Sequence, residues 1–322
     1  MATTRTVRDI IQAKNQKDAP ILYHLQKQSG LMATAQARLA NDGIKHTYTK
    51  IKELPALTST LLDGSVAPTV TNKNNYSVNL SLQQAYEIIP VNVVNNEQYP
   101  GGIQGYAREA IATYNESFSQ TGAKSIFYGN DTTFGDGTYS AGLHQYAKAY
   151  GNVIQAGGDT GSRTTIFAVS WDPRWCTTLY NEMDINQGRM MNVDTFGGSP
   201  RMVKDNTTTK AAIYGYELHM QGYLGFVSST KYDVAAYTQL QDAADDRPTA
   251  TNLDKLLDYV KAGPNTFLYM SRNARRMVEQ LADAKYQRGN GDNNYDTRLD
   301  YWNGVPIVID ENISDVETTV LD

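Results

Sequence analysis

The chain has a single cysteine, Cys176, and four scattered histidines: His24, His46, His144 and His219. One thiol excludes an intramolecular disulfide and any multi-cysteine metal site. No two histidines stand at the short spacing of a zinc site, so metal catalysis through imidazole is poorly supplied. No run of about 18 apolar residues occurs, so no segment reads as a membrane-spanning helix. Residues Met1 to Arg8 are polar and lack the apolar centre of a secretory signal. The expectation is a protein made and kept inside a cell, or inside a particle assembled there. A basic excess is missing too: 29 Lys and Arg stand against 34 Asp and Glu, a net charge of −5. Proteins that grip nucleic acid over a broad face carry the opposite balance.

What is present is polar and uncharged. Hydrophobic residues make up 40% and charged residues 20%, both slightly under the globular averages of about 45–50% and 25%. Asn, Thr, Gln and Ser fill the gap, with 25 Gly and 22 Tyr. Tyr, Ile and Val recur along all 322 residues, which argues for a folded chain with a sizeable core.

The hydrophobic periods divide the chain. Residues 3–42 read as helical with a thin apolar stripe through Val7, Ile10 and Ile11. Asp18-Ala19-Pro20 breaks the run, and Ile21, Leu22, Leu25, Leu31, Ala35 and Leu39 continue it to Asn41-Asp42-Gly43. So thin a stripe suits an arm packed on something else. From His46 to Val94 the period becomes two, at His46–Ile51 and again at Tyr76–Leu82. Residues 55–75 between them are rich in Thr and Ser, so the expectation is a long projecting hairpin that reaches a neighbour. Ile103, Tyr106, Ala107, Ala110, Ile111, Tyr114 and Phe118 predict a helix of about 25 residues, opened by Gly101-Gly102 and closed by Gly129. Gly122 within it is expected to mark a bend or an early end.

Beyond Gly129 the chain is loop-rich, with one short element near Leu143–Ala149. Thr165–Val169 predicts a buried strand and Tyr214–Met220 a half-buried one, with another starting or ending at Phe226-Val227. A helix follows over Leu253–Val260, with Thr251 and Asp254 imitating a capping box. Phe267–Met270 is a short strand. Ser271 caps a second helix bearing Ala274, Met277, Val278 and Leu281. Val305–Ile309 is a last buried strand, with Pro306 marking an edge or end. Helices and strands mix without a βαβ rhythm, so the class is α+β.

Chemical motifs are sparse. Asp159-Thr160-Gly161 spells the aspartic-protease triplet, but it occurs once and follows Gly157-Gly158 rather than a buried strand, so it reads as a turn. Asp292, Asn294 and Asp296 match the first ligands of a calcium loop, yet Thr297 and Asn303 stand where the turn glycine and bidentate acid belong. The glycines near Ser162 precede a strand, where a phosphate cradle needs a helix. Cys176 reads as a packed thiol. Arg272, Arg275 and Arg276 are the densest basic cluster and read as a solvated face. A folded chain of this size with no credible site points to a structural role.

The order of elements then matters most. A helical arm, an extended hairpin, a long helix and a compact α+β part resembles a tailed-bacteriophage major capsid protein. Local wording agrees. His46-Thr47-Tyr48-Thr49, Leu54-Pro55 and Gly64-Ser65-Val66-Ala67-Pro68 resemble the start of that family's elongated loop. Phe127-Tyr128-Gly129-Asn130 and Gly142-Leu143-His144-Gln145-Tyr146 resemble the stretch after its spine helix. Asn152–Gly158, then Thr164–Phe167 and Trp171, resemble a later strand, and Asn303-Gly304-Val305-Pro306-Ile307 resembles its closing strand. The likeness covers about residues 40–315. It departs after Gly222-Tyr223-Leu224, where the family's Asp and Arg are replaced by Phe226-Val227-Ser228-Ser229-Thr230-Lys231.

The resemblance implies an HK97-like capsid fold. Its parts would be an N-terminal arm (1–45), an elongated β-hairpin loop (46–94), a spine helix with peripheral subdomain (95–160), an axial subdomain (161–298) and a closing strand with C-terminal segment (299–322). It implies a virion protein assembled in the host cytoplasm, with copies gathering into hexamers and pentamers of an icosahedral shell around double-stranded DNA. Further partners would be scaffold, portal and decoration proteins, with only weak non-specific contact to DNA. No cofactor, metal or catalytic residue is implied. Assembly residues would be Lys50, Lys52, Glu53 and Asp63 for charge steering and register, and Tyr76 on the alternating face of the hairpin. Arg108, Glu109 and Glu116 on the spine helix would join them. Two other readings stay open here: a surface or secreted β-rich carbohydrate binder using its tyrosines, and an aspartic hydrolase using Asp159.

Overall fold

A computed structural model describes residues 29–53, 57, 71–94, 102–129, 140–158, 161–181, 192–194, 200–204, 212–243, 245–285 and 300–317. In chain order the elements begin with helix α1 (Gly30–Thr34) and strands β1 (Ala37–Leu39), β2 (Lys45–Glu53), β3 (Asn72–Asn79) and β4 (Ser81–Pro90). Helices α2 (Val91–Val94), α3 (Gly102–Tyr128) and α4 (Leu143–Tyr150) follow, then β5 (Val153–Gln155), β6 (Thr164–Ser170), β7 (Cys176–Tyr180), β8 (Asn192–Asp194), β9 (Arg201–Lys204), β10 (Ala212–Ser228) and β11 (Val234–Leu240). The last are α5 (Ala250–Tyr259), β12 (Thr266–Met270), α6 (Arg272–Lys285), β13 (Tyr301–Trp302) and β14 (Val305–Ile309).

One sheet runs β13-β14-β12-β6-β11-β5 and is covered on both faces. That double cover explains why β6 is apolar almost throughout. Ile166 and Ala168 point to one face and meet Leu253, Leu256 and Leu257 of α5 and Met277 and Val278 of α6. Phe167 and Val169 point to the other and meet Ile126 and Phe127 of α3 and Leu143 and Ala147 of α4. The second core is aromatic: Phe127 stacks on Phe167 at 5.4 Å, and Trp171 and Tyr269 complete the cluster. Trp171 Nε1 donates to the Tyr269 hydroxyl at 2.8 Å, so its polar edge is satisfied. Asn303 and Gly304 both have positive φ, as a two-residue turn between antiparallel β13 and β14 requires.

A second sheet is ordered β1-β7-β10-β4, with β8 and β9 also pairing to β10. Its spine is the 17-residue β10, which pairs antiparallel with β4 from Gly215↔Pro90 to Leu224↔Ser81. The N-terminal half of α3 lies against this sheet through Tyr106 and Ala110, beside Ile89, Leu218 and Met220. The C-terminal half enters the aromatic core. One 27-residue helix therefore joins both sheets.

Several expectations change. Among the described residues the N-terminal stretch is helical only over Gly30–Thr34. Residues 37–39 instead form β1, parallel to β7, with Thr178 N donating to Gln36 O at 2.8 Å. The stripe of Leu31, Ala35 and Leu39 fitted a helix, but a sheet edge satisfied the backbone better. Gly122 does not end α3, which runs on to Tyr128. A β-carbon at Gly122 would lie 2.6 Å from the Met32 methyl and 2.7 Å from Leu224, so the missing side chain admits two neighbours. Tyr214–Met220 and Phe226-Val227 belong to one strand, β10. The cap of α5 is Thr249, whose hydroxyl accepts from Asn252 N. Asp254 instead accepts from Trp302 Nε1 at 2.9 Å, tying α5 to β13. Ser271 caps α6 as expected, accepting from Ala274 N at 3.1 Å. The arginines of α6 form ion pairs, Arg272 with Glu311, Arg275 with Glu279 and Asp300, and Arg276 with Asp242.

Candidate assembly surface

β2 and β3 form a two-stranded antiparallel ribbon, in register from Lys45↔Asn79 to Ile51↔Lys73. Seven of the eight residues of β3 are exposed. Apolar groups stand among them: Ile51 is 56% exposed and Tyr76 43%. The alternation that predicted the ribbon places His46, Tyr48 and Lys50 on one side of β2.

The root is firmly built. Asn41 accepts from Thr47 N at 2.8 Å and donates to Thr47 O at 2.7 Å, closing the turn before β2. Leu80, Ala40, Leu179 and Val227 make a small core beneath it, with Tyr48 and Val78 packed on top. Tyr48 stacks on Tyr76 at 5.8 Å and on His46 at 6.4 Å. The Lys50 ammonium lies 5.7 Å from the Tyr76 ring centre and 5.5 Å from that of Tyr150 on α4. Such cation–π contacts are worth about 0.5–1 kcal/mol each at exposed sites. Burial lowers the Lys50 pKa, against the opposing pull of the Asp233 charge. Burial likewise raises the Tyr48 hydroxyl, with Tyr76 adding to the rise.

Lys50 and Tyr76 meet at the ribbon's root. The backbones of Lys52 and Glu53 continue β2, and their side chains lie outside the described residues, as does all of Asp63. Arg108 and Glu109 are on α3 with side chains outside the described set. Glu116, also on α3, is half-buried and accepts from Gln120 Nε2 at 3.1 Å. Asp159 and the 292–297 loop lie outside the described residues. Sequence reasoning passed over Tyr48, Tyr150 and Asn41. The first was visible in the alternation of β2, whereas Tyr150 reaches Lys50 only through the fold.

Two further anchors fix where the N-terminal segment leaves the body and where the C-terminal segment closes it. Asp310 is fully buried and accepts from Leu31 N at 2.8 Å and the Ser29 hydroxyl at 3.1 Å, capping α1 from 279 residues away. Gly30 packs directly on β14: a β-carbon there would lie 2.6 Å from Ile309 O. Glu317 sits between the end of α3 and β6, accepting from Tyr128 at 2.8 Å and from Thr165 at 2.7 Å. Burial pushes its carboxyl up to about 7. Cys176 is buried and free, with its thiol pushed well above the usual range by burial, which makes it a packing group.

A model of the Major capsid protein GP7 family matches residues 13–321. The chain belongs to that family. It is a major capsid protein of a tailed phage, a non-enzymatic subunit of an icosahedral shell, and a component of the virion. Solved structures agree in fold. A chain of the bacteriophage Epsilon15 structure is 14% identical with a TM-score of 0.67, over 99% of this chain and 98% of that one. A chain of the bacteriophage JBD30 capsid is 14% identical with a TM-score of 0.50, over 96% and 99%. A JBD30 capsid described as decorated with minor capsid protein trimers gives 12% identity and a TM-score of 0.50, over 97% and 100%. No curated protein matches. The fold is the mixed α+β, HK97-like one that the order of elements suggested, and the capsid protein assembles with copies of itself. The carbohydrate-binding and hydrolase readings fall away with the family assignment.

Proposed function

We propose that the β2–β3 ribbon lies across an adjacent copy and that this contact helps gather subunits into hexamers and pentamers. The observation that carries the reading is the ribbon itself. Among the described residues its two strands pair only with each other, and Ile51 and one side of Tyr76 stay exposed to solvent. An isolated two-stranded ribbon is marginally stable in water. A neighbour's surface supplies the missing face, and many weak copies of one contact close a shell. The stacked root of Tyr48, Tyr76, Lys50 and Tyr150 sets the angle at which the ribbon leaves the body. Lys50, Lys52, Glu53 and Asp63 then serve register along it, and Arg108, Glu109 and Glu116 serve contacts along α3.

The same reading divides the chain into an arm (1–45), an elongated loop (46–94), a spine helix with peripheral part (95–160), an axial part (161–298) and a closing segment (299–322). Assembly takes place in the host cytoplasm with scaffold and portal, and decoration proteins can follow. The acidic balance of the chain suits a container that touches packaged double-stranded DNA weakly, since tight binding takes many Lys and Arg on one face. The test replaces Ile51 and Tyr76 by Ser. Subunits with the parent's circular dichroism that no longer form capsomers support the proposal, and normal shells from the doubly substituted protein refute it.

A further inference from the structure

At the ribbon's root a recess of about 390 Å³ opens between β2, the end of β1, the turn before β7 and the end of β10. Its wall includes Arg38, Arg174, His46, Tyr48, Asn41 and Trp175, and among the described residues no acidic side chain lines it. Elsewhere in the chain arginines find carboxylates, as Arg247, Arg272, Arg275 and Arg276 all do. Arg38 and Arg174 make no ion pair among the described residues. His46 is only 4% exposed, yet its Nδ1 has no hydrogen-bond partner there. A buried ring nitrogen left unpaired is costly, which marks the wall as incomplete. Trp175, 49% exposed, offers an apolar edge to the mouth.

We propose that this recess receives an Asp or Glu side chain of a second copy of the chain. The proposal rests on the assembly reading above and names the chemistry of one of its contacts. Two guanidiniums without an ion pair among the described residues fit a carboxylate, which each can bind by paired N–H donors. The apolar rim fits the methylene stem. The supply is at hand, because each copy carries 34 acidic residues against 29 basic ones. The recess also opens beside the ribbon that meets the neighbour. A DNA phosphate is the lesser fit, because duplex binding needs a row of cations on an open face, and here two stand in a hollow.

The test uses purified full-length protein freed of nucleic acid, with assembly followed by light scattering and sedimentation. Arg38 and Arg174 are both exposed, so the Arg38→Ala/Arg174→Ala variant is expected to fold with the parent's melting curve. It should need about tenfold more protein to assemble at low salt, and the gap should close as salt rises. As a second measurement, Arg38→Lys shells treated with a carbodiimide should yield a zero-length link from position 38 to an Asp or Glu of another chain, seen by mass spectrometry. Assembly of the double variant at the parent's concentration and salt dependence overturns the proposal, as does absence of the interchain link. A double variant that assembles normally but, in a parallel assembly with added duplex DNA, retains less of it than the parent also overturns it and assigns the recess to phosphate. A parent protein that forms no capsomers overturns the assembly reading with it, whereas a parent that assembles beside an unaffected variant overturns the recess alone.

Discussion

Glu317→Gln tests how the C-terminal segment is held. The carboxylate oxygens of Glu317 accept from Tyr128 and Thr165, and its backbone oxygen accepts from Arg163 Nε at 3.3 Å. Burial raises its carboxyl pKa from 4.5 to about 7, and the Asp315 charge adds to the rise. The hydroxyls of Thr165 and Tyr128 and the Arg163 charge work the other way without cancelling it. Between those values the folded chain holds a proton that the unfolded chain has released. The contribution is therefore fully present below about pH 4.5 and is lost as pH rises to about 7. The rise corresponds to about 3 kcal/mol. Glutamine has no such titration. It exchanges one acceptor oxygen for an NH₂ group, a loss of about 1 kcal/mol that does not depend on pH. Urea unfolding of unassembled subunits should show the parent losing about 2–3 kcal/mol relative to the variant between pH 5 and pH 8. Parallel pH profiles for the two proteins would refute the argument.

Two other substitutions probe the supports of the assembly surface. Gly142→Ala should destabilise by about 3 kcal/mol or more, because the added carbon would lie 2.4 Å from Gly129 N and 2.8 Å from Ile126 O, forcing α4 away from the end of α3. The loss should appear as a lower denaturation midpoint with an unchanged slope. Asp310→Ala should cost about 2–5 kcal/mol by leaving the buried N–H groups of Leu31 and Asn312 unpaired. Hydrogen exchange should then speed up first at residues 29–34, and no local change there would count against the cap.

The ribbon, the long helix and the buried strands were legible because each has a strong period of its own. Thr164–Ser170 announces double burial, and Tyr106 to Phe118 repeats at helical spacing. The capsid reading followed from the order of these elements. What was hidden depends on partners far away in sequence. β1 is a strand because β7 lies beside it, although its apolar spacing suits a helix. The role of Gly122 appears only when Met32 and Leu224 close on α3. Asp254 mimics a cap until Trp302 arrives to claim it. At the assembly surface, Tyr76 was named from the alternation and Lys50 as a charge for steering, but the ring of Tyr150 and the wall shared by Arg38 and Arg174 come together only through tertiary packing.

Cryo-electron microscopy of particles formed by the full-length protein tests the central claim most directly. The account predicts closed shells in which the β2–β3 ribbon of each subunit crosses an adjacent copy, with Ile51 and Tyr76 covered. Shells whose ribbons touch only their own chain would contradict it, and so would monomers alone, with no capsomers, tubes or shells under any salt or scaffold condition.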